Sequence, residues 1–256
     1  MAVSARHPQE PLPEPPSGRG RHARDRKPKQ GPSRGWVWFR ETAIIVIAAL
    51  ALSALVRAFL VQAFYVPSGS MEDTLLVSDR IVASKITTRF GGVNRGEVVV
   101  FRDPGGWLPE PPPQEQGIRG YLRTALTFIG LIPSDSGQDL VKRVIGVAGD
   151  RVVCCDSAGR ISVNGVAIDE PYIKGTTDQV LFDVVVPEGN IFVMGDNRGD
   201  SRDSRFHLEA NNGGVPVESV VGRAQWLIWP LHRMQNLSIP DVFSNPAIST
   251  GSNASP

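Results

Sequence analysis

The chain has 256 residues, 41% of them hydrophobic, enough for one or two packed domains. Its formal net charge is +1, which gives no support for nucleic acid as a partner. The two cysteines, Cys154 and Cys155, are too few for a zinc site.

Charge and composition are uneven along the chain. Residues 1–35 are rich in Pro, Arg, Gly and Ser, lack apolar periodicity and read as a disordered basic tail. The run from Arg19 to Lys29 is expected to set membrane topology from the cytoplasm, in preference to binding nucleic acid or anionic lipid. Trp36, Trp38 and Phe39 then form an aromatic cluster beside Arg40, and residues 42–56 carry no charge. As a helix, 42–64 would span about 34 Å, more than a hydrocarbon core of about 30 Å. Arg57 would snorkel to the far interface. The leader is long for a cleavable signal peptide, and no clean small-x-small site follows the apolar run. Residues 36–64 are therefore expected as a transmembrane signal anchor, N-terminus cytoplasmic, with the rest of the chain outside the membrane.

Beyond residue 65 the pattern is mainly β. Short Val/Ile-rich runs bounded by turn residues occur at 81–84, 97–101, 140–147, 151–153, 160–163, 183–186, 191–194 and 224–229. Asn164-Gly165 predicts a hairpin turn. Residues 103–118, with their Pro-Pro-Pro run, predict a loop, and 121–132 a short amphipathic helix. The tail from Ser244 is small and polar and is expected to be disordered. Adjacent cysteines on a strand point to opposite faces. Cys154 and Cys155 are therefore expected as two structural thiols, a strained vicinal disulfide being the alternative.

One stretch offers chemistry. Phe64-Tyr-Val-Pro-Ser-Gly-Ser-Met71 ends the apolar run and carries Ser68 and Ser70 on a turn shaped by Pro67 and Gly69. A serine hydroxyl needs a base to attack at neutral pH. His7 and His22 lie in the basic tail and His232 follows Trp-Pro-Leu, so only His207 stands near other polar residues. A Ser-His-Asp triad of Ser70, His207 and Asp196 is the remoter alternative. No Gly-x-Ser-x-Gly elbow surrounds Ser70, and no Ser-x-x-Lys occurs.

A lysine becomes a base when burial disfavours its ammonium form. Three of the five lysines, Lys85, Lys142 and Lys174, lie beyond the apolar run. Lys85 and Lys174 stand among polar or turn residues. Lys142, in Leu140-Val-Lys-Arg-Val-Ile145, shares a strand face with Leu140 and Val144. It is either an edge-strand gatekeeper or a desolvated base, and position alone favours the gatekeeper. The dense polar run Gly195–Arg205 lacks the terminal Glu of a calcium loop, and its arginines dilute the acidic charge, so it reads as a positioning network.

Four segments together carry a family resemblance: Pro67-Ser68-Gly69-Ser70-Met71 with Thr74-Leu75; Arg95-Gly-Glu-Val-Val-Val-Phe101; Val141-Lys-Arg-Val-Ile-Gly146 with Gly149-Asp150; and Gly195-Asp196-Asn197 through Ser201, Asp203, Ser204 and Arg205. In order and spacing the chain resembles bacterial type I signal peptidases, from the anchor to about Trp229. The resemblance implies a mainly β catalytic domain at 65–235, with a Pro-rich insertion at 103–139, a small β cap at about 150–190 and a C-terminal tail at 236–256. It implies Ser70 as nucleophile and Lys142 as general base, and moves Lys142 from gatekeeper to base. The Ser70 N–H and the Ser68 hydroxyl would form the oxyanion hole, and Ser201 would orient the lysine. Arg143, Asp196, Asp203 and Arg205 would support the site. Phe64, Val66, Pro67 and Val141 would wall small substrate pockets. No metal or cofactor is implied. The implied partners are signal peptides of exported preproteins, membrane lipid and the nearby secretion translocon. One departure is Asp73, where the family often has proline. A self-cleaving Ser/Lys protease of the repressor type and a catalytically silent anchored β module are the alternatives. The membrane anchor and the absence of a helix-turn-helix pattern in residues 1–60 oppose the first; retention of Ser70 and Lys142 opposes the second.

Overall fold

The computed structural model describes residues 34–85, 91–109, 117–122, 137–177 and 179–250. The basic tail up to residue 33, most of the expected 121–132 helix and the last six residues lie outside them; residues 118–122 are helical. The chain divides into two units, residues 1–44 and 45–256.

Helix α1 runs Arg34–Phe59. Its window Gly35–Val56 has a mean hydropathy of 2.0 and is long and apolar enough to cross a membrane. It ends before the expected residue 64. Val61–Tyr65 is instead strand β1, paired antiparallel with β2 (Arg80–Ser84) from Val61↔Ser84 to Tyr65↔Arg80. The apolar run therefore serves two elements, and hydropathy alone does not mark where one becomes the other. Pairing with β2 does.

The larger sheet has eight strands. It adds β3 (Val98–Arg102), β4 (Asp139–Val147), β9 (Asn190–Met194), β10 (Val215–Pro216), β11 (Val220–Trp229) and β12 (Gln235–Asn236) to the first two. Its order is β1-β2-β11-β3-β4-β9-β10, with β12 on β11, and its pairings are antiparallel. β3 explains the unbroken apolar run at 98–101. Val98 and Val100 enter one core cluster with Phe64, Val66, Met71 and Val141. Val99 and Phe101 enter another with Val144, Val193 and Trp107. A strand covered on both faces needs no polar alternation.

A smaller antiparallel sheet, ordered β7-β6-β5-β8, joins β5 (Arg151–Cys154), β6 (Ile161–Val163), β7 (Val166–Ala167) and β8 (Phe182–Val185). Asn164 and Gly165 both take positive φ, 53° and 81°, in the two-residue turn between β6 and β7, as a type I′ hairpin requires.

Two further expectations are corrected. Cys154 and Cys155 form a vicinal disulfide across a cis peptide. The C-terminal segment is ordered through residue 250, with a 3₁₀ turn at Asp241–Ser244 and a short helix at Pro246–Thr250. Phe243 and Ile248 pack into the third core cluster, with Val152, Ile161 and Phe192, and Asn164 Nδ2 donates to the Ile248 carbonyl at 2.7 Å. Two apolar side chains among small polar ones are a weak sequence signal, yet they anchor this tail.

Candidate active site

Ser70 sits in a one-turn 3₁₀ helix, Gly69–Met71, that follows β1. Ser68, in extended conformation, is its N-cap. An N–H in the first turn of a helix has no partner within that helix, so the Ser70 amide is disposed to receive an external acceptor. The Ser68 hydroxyl donates to Ser70 Oγ at 3.4 Å. The turn is anchored from behind by Asn197. Its backbone N–H donates to the Ser70 carbonyl at 3.1 Å, and its Nδ2 donates to the Gly69 carbonyl at 3.0 Å.

Lys142 occupies the middle of β4, which packs against this turn. Strands flank it on both sides, so β4 is not an edge and the gatekeeper role does not apply. Its neighbour on β3 is Val99, and Leu140 and Val144 share its face, as the alternation predicts. On the other side the register with β9 ends at Arg143↔Met194, and Gly195 is the next residue along the chain. A Cβ placed on Gly195 would fall 2.2 Å from Ser201 Oγ and 2.4 Å from the Ser70 carbonyl oxygen. The missing side chain thus leaves the space in which Ser201 and the Ser70 carbonyl approach each other. Gly195→Ala is expected to displace the Ser70 turn and to lower any rate that depends on it by at least about 100-fold, because the carbonyl it meets is backbone and cannot rotate away; initial rates on the expected preprotein substrate check this.

Lys142 is 2% exposed. Burial lowers its pKa from 10.5 to about 8, against the opposing pull of Asp203 and with help from Arg205. Asp203, fully buried, accepts from Ser201 Oγ at 2.7 Å, from the Gly195 N–H at 3.0 Å, and from Arg205 Nε at 2.8 Å and Nη2 at 2.9 Å. Burial works to raise the Asp203 pKa, but the bonds and charge of Arg205 outweigh it and hold the carboxyl below the usual range. Asp196 is gripped by Arg143, Nε to Oδ1 at 2.9 Å and Nη2 to Oδ2 at 2.7 Å, and also accepts from Thr74 Oγ1. Arg143 Nη1 reaches the Gly96 carbonyl at 2.8 Å. The sequence-derived supporting residues thus form two buried acid–arginine pairs, Asp196 with Arg143 and Asp203 with Arg205.

His207 is not joined to this cluster as a base. Its ring stacks on Trp107 with centroids 4.4 Å apart, while Asp196 is engaged by Arg143 and Thr74. The Ser-His-Asp alternative is therefore not assembled. Of the expected pocket residues, Phe64, Val66 and Val141 are buried together with Met71 of the Ser70 turn, and Pro67 is exposed. Asp73 has φ +81°. Proline is held near −65°, so the backbone here follows a path that the family's usual residue could not take.

A family model described as signal peptidase, peptidase S26, matches residues 38–229. The chain belongs to the signal peptidase family. It is similar to a signal peptidase I of Mycobacterium tuberculosis, with 37% identity over 219 residues, 76% of this chain and 74% of that protein. A probable signal peptidase I of Mycobacterium leprae is 35% identical over 231 residues, 78% of each chain. A probable signal peptidase I-2 of Synechocystis sp. is 31% identical and covers 88% of this chain and 92% of its own. Family membership makes the chain a serine endopeptidase, and with α1 it makes the protein membrane-anchored.

Sequence reasoning missed several residues that hold this peptidase site together. Asn197 lay inside a motif but had no assigned task. Thr74 and Arg198 likewise stood in motifs without a task, Glu170 and Tyr172 were not singled out, and Lys174 was read as solvated. Lys174 is half-exposed but ion-paired, Nζ to Glu72 Oε2 at 2.7 Å. Little in the local sequence distinguishes these residues, because the partners that tie them to the site, such as Asp196 for Thr74, Glu170 for Arg198 and Glu72 for Lys174, lie far along the chain.

Proposed function

We propose that the protein removes N-terminal signal peptides from exported preproteins, cleaving after small-x-small (Ala-x-Ala) sites, with Ser70 as nucleophile and Lys142 as general base. The observation that carries this reading is a lysine buried on a central strand that packs against the Ser70 turn.

The preprotein binds as an added strand whose alternate side chains enter pockets. Phe64, Val66 and Val141 fill the floor below the turn with apolar bulk, and Pro67 borders it at the surface, leaving room only for small P1 and P3 side chains. Neutral Lys142 takes the Ser70 hydroxyl proton as Oγ bonds to the scissile carbonyl carbon. The oxyanion accepts from the Ser70 N–H and the Ser68 hydroxyl; one such donor is worth about 3 kcal/mol. Lys142 then passes its proton to the leaving amine as the C–N bond breaks. Neutral again, it deprotonates the water that hydrolyses the Ser70 ester. Ser201, whose own proton is directed to Asp203, offers its oxygen to the lysine and fixes its direction. The protein's own groups suffice for every proton in this cycle.

The basic flank of α1 supports a cytoplasmic N-terminus and a catalytic domain outside the plasma membrane. Ser70 then follows shortly after the span, where a signal peptide still held in lipid beside the translocon presents its cleavage site.

The test is full-length protein in detergent micelles with a purified preprotein, the product's new N-terminus being sequenced. Cleavage after Ala-x-Ala, blocked by Phe at P1, is the expected result. Cleavage indifferent to P1 size overturns the pocket assignment. Scission of the enzyme alone favours the repressor-type reading, and no scission at all favours the silent module.

A further inference from the structure

The segment Glu170–Thr177, between β7 and β8, touches the supports of both halves of the proposed dyad. Its last contact is with the nucleophile's side. Lys174 forms a parallel bridge with Asn197: the Lys174 N–H donates to the Asp196 carbonyl at 2.7 Å, and the Arg198 N–H to the Lys174 carbonyl at 2.8 Å. Asn197 in turn holds the carbonyls of Gly69 and Ser70. The Lys174 side chain reaches Glu72, whose carboxylate lies over Gly69, where an added Cβ would fall 2.8 Å from Oε1.

Its other contacts are with the lysine's side. The guanidinium carbon of Arg143 lies 4.3 Å from the centre of the Tyr172 ring, within the range of a cation–π contact. Arg143 is the next residue after Lys142 and is the one that grips Asp196. The Tyr172 hydroxyl donates to Glu170 Oε1 at 2.6 Å. Glu170 accepts two further bonds from Arg198, Nη2 to Oε1 at 2.6 Å and Nη1 to Oε2 at 2.8 Å. Thr177 Oγ1 accepts from Arg198 Nη1 at 2.7 Å. Both Arg198 and Glu170 side chains are buried, 0% and 3% exposed. A buried, fully bonded network of this kind has one geometry.

We infer that Tyr172, through the face of its ring, is a positioning residue for the reaction: it holds Arg143, and with it the Lys142 strand, against the loop that anchors Ser70. Glu170 and Lys174 fix the strap that carries Tyr172. This rests on the Ser70–Lys142 reading. It adds that the small β cap has a catalytic task and is not merely an appendage beside the larger sheet.

The consequence is directional. Without the ring the Arg143 side of β4 loosens and water reaches the Lys142 ammonium. Better hydration favours the charged form, so the pH at which Lys142 becomes a base moves up. In Tyr172→Leu, kcat at pH 7 is expected to fall about 10-fold or more, with KM changed less than about 3-fold. The acidic limb of the kcat profile is expected to move to higher pH. Tyr172→Phe, which keeps the ring and loses only the hydroxyl, should restore most of kcat and return the limb to its wild-type position.

The experiment measures pH–rate profiles of preprotein cleavage for the full-length wild type, Tyr172→Leu, Tyr172→Phe and Lys142→Ala in micelles, with a thermal midpoint for each. A Tyr172→Leu profile reduced in height but unmoved in pH would overturn the inference, since lost folded protein lowers amplitude alone. A Tyr172→Phe variant as impaired as Tyr172→Leu would overturn the role of the ring face. Failure of the dyad reading looks different: Lys142→Ala would then retain the wild-type limb.

Discussion

Ser70→Ala and Lys142→Met are each expected to abolish preprotein cleavage, lowering kcat by roughly 10⁴-fold or more, because groups acting as one catalytic unit lose nearly everything when either is removed. The wild-type rate should rise with pH along a limb centred near 8, where Lys142 loses its proton. The limb should be absent from whatever residual rate Lys142→Met retains. The same variant is expected to be more stable than wild type at pH 7. The Lys142 pKa is about 8 in the fold against 10.5 unfolded, so below pH 8 both states are protonated and the native state bears the full cost of a buried ammonium. As pH rises from 8 to 10.5 the native state sheds its proton first, and that cost is relieved. Methionine removes it at every pH. The gain should therefore be largest at pH 7, up to about 3 kcal/mol, and shrink towards pH 10.5. Thermal midpoints at pH 7 and pH 10 measure it. An inactive but less stable Lys142→Met would mean that the lysine is held for structure and not for catalysis.

Asp203→Ala is expected to cost about 3–5 kcal/mol of stability, the usual penalty for leaving one member of a buried ion pair uncompensated. Arg205, 1% exposed, would keep only the Gln179 side chain and the Arg198 carbonyl as acceptors. The Gly195 N–H and the Ser201 hydroxyl would lose theirs. Asp203→Asn separates structure from chemistry, since it keeps most of the shape and removes the charge. Asp203 is the foremost charge holding the Lys142 pKa up against burial. Its neutralisation should move the acidic limb to lower pH, opposite to the direction expected for Tyr172→Leu. A limb that stays in place in Asp203→Asn while the midpoint falls would reduce Asp203 to a structural role. Because the Asp203 carboxyl is held below the usual range, its contribution to wild-type stability is complete above the unfolded pKa, near 4. It should fade only as pH drops through the lower folded value.

Much of the fold was legible because local physics wrote it. The eight Val/Ile-rich runs became strands, since each alternates or is doubly covered in a way that burial requires. Asn164-Gly165 became a hairpin turn because few other pairs tolerate two positive φ angles. The misreadings share one cause. Residues 61–65 are apolar enough for the end of a membrane helix and branched or aromatic enough for a strand, and pairing with β2 chose the strand. Phe243 and Ile248 looked incidental in a polar tail, and a core site lined by Val152, Ile161 and Phe192 made them anchors.

What the sequence determined by itself was the cast of the chemistry: a serine on a turn after an apolar span, one lysine between apolar neighbours, and a Gly-Asp-Asn loop dense in acid–arginine partners. Those are matters of residue type and short-range spacing, which a chain carries without folding. Only the tertiary structure decided that Lys142 lies buried on a central strand, and that Gly195 stands where any side chain would meet Ser70 and Ser201. Only the fold brought Tyr172, from the small cap, beneath Arg143. Burial is a property of what surrounds a side chain, and the groups that act on Lys142 come from β3 and the loop after β9, which sequence proximity does not connect.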